Sequence, residues 1–119
     1  MNTNRSLWCT PEGDSINFNV VLQHIQTHTR NNGNVFIGTD SFLTGNVCIF
    51  ANVICLHGAD SQMGGMYYVK KTKHAGRQFK VLVTRMLSEI QETIETALRV
   101  SDLCPNAKIE LHLDISGTN

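Results

Sequence analysis

The chain of 119 residues lacks any apolar run near the roughly 18 residues that a membrane-spanning helix needs. Its first residues, Met1 to Arg5, do not lead into the apolar core of a secretory signal peptide. Internal repeats, low-complexity tracts and linkers are also absent. We therefore expect one cytoplasmic domain over residues 1–119, with an irregular N-terminus and a helix over 1–30 and a core over 31–119.

Motifs for zinc, redox and serine chemistry are missing as well. The four cysteines, Cys9, Cys48, Cys55 and Cys104, lack CxxC spacing, so we expect reduced, structural thiols. His24 and His28 lie one helical turn apart, but no glutamate follows His24 as in HExxH and no third zinc ligand is evident. The chain also has no Walker-type phosphate loop and no serine-hydrolase elbow.

Net charge is zero, and acidic residues are absent from 62 to 87. That stretch holds six of the ten basic residues, namely Lys70, Lys71, Lys73, Arg77, Lys80 and Arg85. A neutral protein with one basic segment fits binding of nucleic acid through Lys70, Lys71, Lys73, Arg77 and Lys80. A solvated, lysine-rich loop explains the same pattern, and Tyr67 and Tyr68 fit either stacking on a single strand or an ordinary strand with a charged end.

Apolar periodicity predicts the order helix, three strands, helix, strand. The predicted ranges are a helix over 16–29 capped by Asp14-Ser15, strands over 35–41, 47–56 and 66–73, a helix over 77–101 and a strand over 108–115. Tight turns make the first three strands an antiparallel meander, with the nearly all-apolar second strand in the centre. A helical crossover then returns the last strand parallel to the first, so the fold class is α/β with a mixed sheet.

Three carboxylates fall on separate elements of this arrangement. Asp40 ends the first apolar strand, Asp114 ends the last, and Glu89 lies on the helix between them. Parallel neighbouring strands bring Asp40 and Asp114 to the same edge of the sheet. Oxygen ligands of this kind suit Mg²⁺ or Mn²⁺ and metal-assisted hydrolysis, most familiarly of phosphodiesters.

The helical pattern selects Glu89 from the three glutamates of its helix. We take the buried face as the apolar set Phe79, Leu82, Val83, Met86, Leu87, Ile90, Ile94, Ala97 and Leu98. At about 100° per residue, with Ile90 at the centre, Glu89 lies at the margin of this face. Glu92 and Glu95 are expected on the opposite, solvated side. On the last strand, His112 shares a face with Asp114 and is a candidate to orient a ligand or move a proton.

Four motifs resemble the ribonuclease H-like superfamily and, within it, the YkuK-like family. They are Ile37-Gly38-Thr39-Asp40-Ser41, Gly64-Gly65-Met66-Tyr67-Tyr68, Arg85-Met86-Leu87-Ser88-Glu89 and His112-Leu113-Asp114-Ile115. The resemblance implies an RNase H-like sheet in which Asp40, Glu89 and Asp114 hold a pair of Mg²⁺ or Mn²⁺ ions for catalysis. Ser41 is then expected to contact a bound water or phosphate, and His112 to support the ligands.

The resemblance also implies a further strand and helix after the last motif, so the sequence is expected to be C-terminally short. The last strand would then be a sheet edge that favours a homodimer. Three functions stay open. The first is a metal-dependent nuclease acting on nucleic-acid phosphodiesters, and the second is a catalytically silent scaffold of the same fold that binds nucleic acid or protein. The third is a metal-dependent hydrolase for another phosphorylated substrate.

Overall fold

The computed structural model describes residues 7–113, which form six strands and two α-helices around one mixed sheet. In chain order the elements are β1 (Trp8–Cys9), β2 (Ser15–Ile16), α1 (Phe18–Arg30), β3 (Asn34–Thr44), β4 (Val47–His57), β5 (Gly65–Ala75), a 3₁₀ turn (Gly76–Phe79), α2 (Leu82–Leu103) and β6 (Lys108–His112).

The strand order across the sheet is β2-β1-β5-β4-β3-β6. Strands β3, β4 and β5 form an antiparallel meander, and α2 is the crossover that brings β6 parallel to β3. The predicted α/β fold, its meander and its parallel last pair are therefore confirmed, as is the interior position of β4.

The N-terminal part is more ordered than predicted. Ser15 and Ile16 belong to β2, where Ile16 pairs with Trp8, so they do not cap α1. The cap is Asn17, whose Oδ1 accepts a hydrogen bond from the backbone N–H of Val20 at 3.1 Å. The predicted Asp14-Ser15 cap is wrong because Ser15 has a partner in the sheet, and Asn17 is an equally good capping residue.

One apolar core lies between the sheet and the two helices. Its buried side chains come from α1 (Phe18, Val21, Leu22, Ile25), the strands (Val35, Ile37, Ile54, Leu56, Tyr68) and the C-terminal half of α2 (Ala97, Val100). Both helices therefore cover the same face, which we call the helix face. Within residues 7–113 no helix covers the other face, which we call the open face.

A buried histidine joins the end of α1 to this sheet. Nε2 of His28 lies 2.9 Å from the carbonyl oxygen of Asn34 and 3.2 Å from that of His57. A Cβ on Gly33 would lie 2.0 Å from the same Nε2, so only glycine fits there. The side chain of His24 bonds separately to the hydroxyl of Tyr68, at 2.5 Å. Both histidines thus have structural partners.

Helix α2 packs on the sheet through buried polar groups. Asn52, on β4, is fully buried, and its Nδ2 donates to Thr39 Oγ1 at 2.8 Å. The hydroxyl of Thr96 donates to Asn52 Oδ1 at 3.0 Å, and that of Thr93 donates to Thr39 Oγ1 at 2.8 Å. These four residues form a chain of hydrogen bonds between the helix and two strands, which we call the docking network.

The docking network places a different face of α2 against the sheet from the one that its apolar residues predict. The most buried positions are Thr93, Thr96, Ala97 and Val100, whereas Leu87 and Leu98 are each 61% exposed. At 100° per residue, the buried face is rotated by about 70° from the predicted centre at Ile90. The predicted face is wrong because buried threonines with hydrogen-bond partners are as acceptable in a core as leucines.

Replacing Asn52 with alanine should destabilise the fold strongly. The change leaves Thr39 and Thr96 without a buried partner and creates a cavity, so we expect a loss of about 3 kcal/mol in the free energy of unfolding. Urea denaturation followed by circular dichroism measures this directly. Gln91→Ala on the exposed side of α2 is the matched control and should cost less than about 0.5 kcal/mol. Equal losses in the two variants would show that the network does not hold the helix.

Candidate active site

Ser41 connects the two carboxylates that the structure brings together. Side chains alternate along β3, so Ser41 faces α2 and is buried, while the neighbouring Asp40 is exposed. The hydroxyl of Ser41 donates a hydrogen bond to Glu89 Oε2. Its backbone N–H donates to Asp40 Oδ1 at 2.9 Å. One residue at this point of β3 therefore fixes both acids.

Glu89 is half-buried on α2, one turn before Thr93 of the docking network. Burial raises the pKa of its carboxyl group, and the charge of Asp40 raises it further. The Ser41 hydrogen bond and the positive charge of Arg85 lower the pKa but do not cancel the rise. The ionised form of Glu89 is therefore destabilised, and a cation bound to Asp40 and Glu89 would stabilise it.

The third predicted ligand, Asp114, lies outside the described residues. Strand β6 runs parallel to β3 up to His112, which is level with Gly38. Within residues 7–113 no group of three or more His, Cys, Asp or Glu side chains is placed to hold a metal ion. Of the three predicted ligands, Asp40 and Glu89 are linked through Ser41, with Asp40 on the open face and Glu89 reaching Ser41 from the helix face.

A shallow trough lies beside Asp40 on the open face. It has a volume of about 470 Å³ and is lined chiefly by apolar atoms, with residues that include Asp40, Phe36, Val53, Cys55, His57 and His112. The ring of His112 lies 5.2 Å from that of Phe36, and its Nε2 is 3.3 Å from Glu110 Oε2. His112 and Asp40 thus line one surface, whereas the predicted shared face of His112 and Asp114 stays a prediction because Asp114 lies outside the described residues.

The basic residues do not form a single patch. Lys71 pairs with Ala51, which pairs with Asp40, so Lys71 and Asp40 lie in one row on the open face. Lys73 is two residues further along the same face, whereas Lys70 lies on the helix face. Arg77 is in the 3₁₀ turn and Lys80 follows it, near the β3–β4 hairpin.

Tyr67 and Tyr68 also lie on opposite faces of the sheet. Tyr67 is 47% exposed on the open face, and Tyr68 is buried in the core. Only Tyr67 is therefore available to stack on a ligand, together with half-buried Phe36 of the trough.

Sequence patterns missed Glu92, which was expected on the solvated side of α2. It is half-buried and faces β5, and burial raises its pKa. The error follows from the rotated helix face. The sequence did contain a signal for the buried face of α2. Small or β-branched residues, which allow a helix to approach a sheet closely, recur along one side of it at Thr93, Thr96, Ala97 and Val100.

A family comparison agrees with this geometry. The model of the family described as Ribonuclease H-like matches residues 17–119. The chain belongs to the ribonuclease H-like family. No curated protein and no solved structure matches it. None of the helices in the described part of the chain is long and apolar enough to cross a membrane.

Membership in the ribonuclease H-like family fits the order of elements around the site. Thr39, Asp40 and Ser41 lie on β3, between β4 and β6, and Glu89 of the crossover helix accepts a hydrogen bond from Ser41. The superfamily commonly uses divalent metals, and the oxygen-rich pair of Asp40 and Glu89 is the donor type that such metals prefer.

Glu89→Gln should stabilise the metal-free protein at neutral pH. Glutamine can still accept the Ser41 hydrogen bond but carries no charge to desolvate. Because the pKa of Glu89 is higher in the folded protein than in the unfolded chain, ionising this carboxyl group destabilises the fold at neutral pH. This loss of stability disappears as the pH falls below 4.5, the ordinary pKa of a glutamate, because the group is then protonated in both states. Thermal unfolding in EDTA between pH 4 and pH 8 measures the difference in Tm, with Glu95→Gln as the exposed control. A stabilisation that does not shrink at low pH would contradict this cause.

Proposed function

We propose that this ribonuclease H-like chain binds Mg²⁺ or Mn²⁺ through Asp40, Glu89 and Asp114 and hydrolyses nucleic-acid phosphodiesters. The observation that supports it best is the pair of carboxylates bridged by Ser41. Asp114 enters on the family resemblance, since the last strand is parallel to β3 and leads towards the same edge of the sheet.

The raised pKa of Glu89 supports a bound cation at this position. A half-buried carboxylate near a second one is costly without a counter-charge, and among residues 7–113 Arg85 is the one positive group that lowers its pKa. Carboxylate and hydroxyl oxygens suit a hard divalent ion. When bound, such an ion activates water and stabilises charge on the phosphate oxygens.

The chain's own residues have distinct roles in this proposal. Ser41 donates one hydrogen bond to Glu89 and one to Asp40, which restricts the movement of both carboxylates. Lys71, in the same row as Asp40, neutralises a phosphate that approaches over the open face. Tyr67 and Phe36 offer aromatic surface to unpaired bases, and His112 in the trough is the candidate to move a proton.

Loss of one ligand should abolish metal binding while the fold is retained. We expect saturable Mn²⁺ binding by calorimetry in the wild type and none in Asp40→Asn, because the exposed Asp40 supplies charge but no packing. Cleavage of labelled RNA and DNA with Mn²⁺ should fall by at least about a hundredfold in the same variant. Asp60→Asn, an exposed acid outside the site, is the control. Mn²⁺ binding that survives Asp40→Asn, or is absent from a folded wild type, would refute the metal site.

A catalytically silent nucleic-acid-binding scaffold is the second candidate, favoured by the row of Lys71 and Asp40 and the exposed Tyr67 on the open face. In it, the open face binds a strand whether or not metal is present. The two candidates differ in metal-dependent turnover, so the cleavage measurement with Mn²⁺ separates them.

Neutralising the open-face lysines should weaken nucleic-acid binding in either case. For Lys71→Gln with Lys73→Gln we expect about two fewer phosphate contacts, which lowers the slope of log K against log salt by about 1.4 for a single strand. Fluorescence anisotropy of a labelled oligonucleotide from 50 to about 300 mM salt measures this. Arg30→Gln, which removes one positive charge at the end of α1, should leave the slope unchanged. The proposed path is excluded if both variants behave alike.

The β6 edge supports a further proposal, pairing of two copies. Within the described residues β6 pairs with β3 alone, and Leu111 on β6 and Leu113 just after it are 39% and 42% exposed. A strand with one open edge and exposed leucines is a favourable surface for extending the sheet into a second chain.

A further inference from the structure

A second cavity lies on the helix face, between α2 and β5. It is an open groove of about 510 Å³. Its floor consists of alternate residues of β5, Lys70, Thr72 and His74, and its wall consists of α2 residues that include Ser88, Glu92 and Arg99. Phe79 closes one end beside His74. Phe50 separates the groove from Ser41, with which it pairs on β3, so the groove is not part of the carboxylate site.

Two buried oxygens in this groove have no hydrogen-bond partner among the described residues. They are Glu92 Oε2 and Thr72 Oγ1, one from the wall and one from the floor. Buried polar atoms are almost always hydrogen-bonded, so two unpaired oxygens on residues that line one groove indicate a missing partner. That partner must supply hydrogen-bond donors to a carboxylate and a hydroxyl.

The groove also holds positive charges at fixed positions. The ammonium of Lys70 lies 5.3 Å from the centre of the Trp8 ring, and the guanidinium of Arg99 lies 4.2 Å from that of Phe18. Cation–π contacts of this kind hold both long side chains in place. Lys70 and His74 each lower the pKa of Glu92, although burial raises it more, and neither forms an ion pair with it in residues 7–113. The cations are thus free to meet an anion.

The opposite end of the groove is aromatic. The rings of Phe50, His74 and Phe79 contact one another edge-on, with centroids 5.0–5.5 Å apart. His74 is exposed and Phe79 is half-buried, so this cluster presents flat surface to the groove. From His74 to Lys70 the floor extends over four residues of β5, about 13 Å. An aromatic end, a central pair of acceptors and a cationic end therefore follow one another along the strand.

We infer that this groove binds a ribonucleotide. The base packs on His74 and Phe79, the 2′- and 3′-hydroxyls of the ribose donate to Glu92 Oε2 and Thr72 Oγ1, and the phosphate lies between Lys70 and Arg99. A carboxylate that accepts from ribose hydroxyls is a known solution for nucleotide binding. The order of chemical groups in a nucleoside 5′-monophosphate matches the order of the three parts of the groove. The site needs no metal and does not depend on the proposed nuclease activity.

The test is calorimetry of 5′-AMP in EDTA, so that the carboxylate pair contributes no bound metal. The wild type should bind 5′-AMP and bind 2′-deoxy-AMP at least about tenfold more weakly, because one ribose donor is lost. Adenosine and inorganic phosphate should each bind more weakly than 5′-AMP. Absence of binding at millimolar nucleotide, or equal affinity for the ribo and deoxy forms, would overturn the assignment.

Variants separate the parts of the site. Thr72→Val and Glu92→Gln should reduce the preference for ribose, whereas Lys70→Gln should weaken 5′-AMP about tenfold and leave adenosine unchanged. Lys108→Gln, the same change on β6, is the matched control and should have no effect. If Lys108→Gln weakened 5′-AMP binding as much as Lys70→Gln, the binding would be nonspecific electrostatic attraction, and the proposed site would be wrong.

A stability measurement distinguishes a ligand site from a structural one. If Thr72 Oγ1 has no structural partner, Thr72→Val should leave the Tm of the nucleotide-free protein unchanged or raise it. A clear fall in Tm would mean that bound water satisfies this oxygen as part of the fold, which contradicts the proposal. A 5′-phosphorylated oligoribonucleotide that competes with 5′-AMP identifies the ligand as the end of an RNA strand, and lack of competition identifies it as a free nucleotide.

Discussion

The docking network between α2 and the sheet determines how the rest of the structure is arranged. Asn52 is fully buried and uses both ends of its amide, one towards Thr39 and one towards Thr96. A buried amide without partners is costly, so only rotations of α2 that place Thr93 and Thr96 over Asn52 and Thr39 are acceptable. The network thus specifies the angle of the helix about its own axis, which apolar packing alone leaves loosely defined.

Each side of α2 takes its role from that angle. Glu89 is one turn from Thr93 and so reaches Ser41 at the carboxylate pair. Glu92 turns towards β5 and forms the wall of the groove. The apolar side, with Leu87 and Leu98, is left exposed. One set of buried hydrogen bonds therefore directs Glu89 to Ser41 and Glu92 to the groove, and leaves a hydrophobic surface exposed on another side of α2.

Both half-buried acids carry a free-energy cost. Burial raises the pKa values of Glu89 and Glu92 above the ordinary range, so their ionised forms destabilise the fold at neutral pH. Such groups are typical of functional sites, where stability is lower so that a ligand can be bound. The carboxylate pair fits a cation because Asp40 adds negative charge, whereas the groove fits a ligand with donors and an anionic end because Lys70 and Arg99 adjoin Glu92.

The sequence by itself determined the order of elements, the α/β class and the family, because strand alternation, turns and the Thr39-Asp40-Ser41 motif are local patterns. It also singled out Asp40 and Glu89, which lie on elements that the crossover topology brings together. Only the tertiary structure decided which face of α2 is buried and which basic residues share a surface with Asp40. Those outcomes depend on hydrogen bonds between residues as distant as Asn52 and Thr96, which no periodicity within a single helix can reveal.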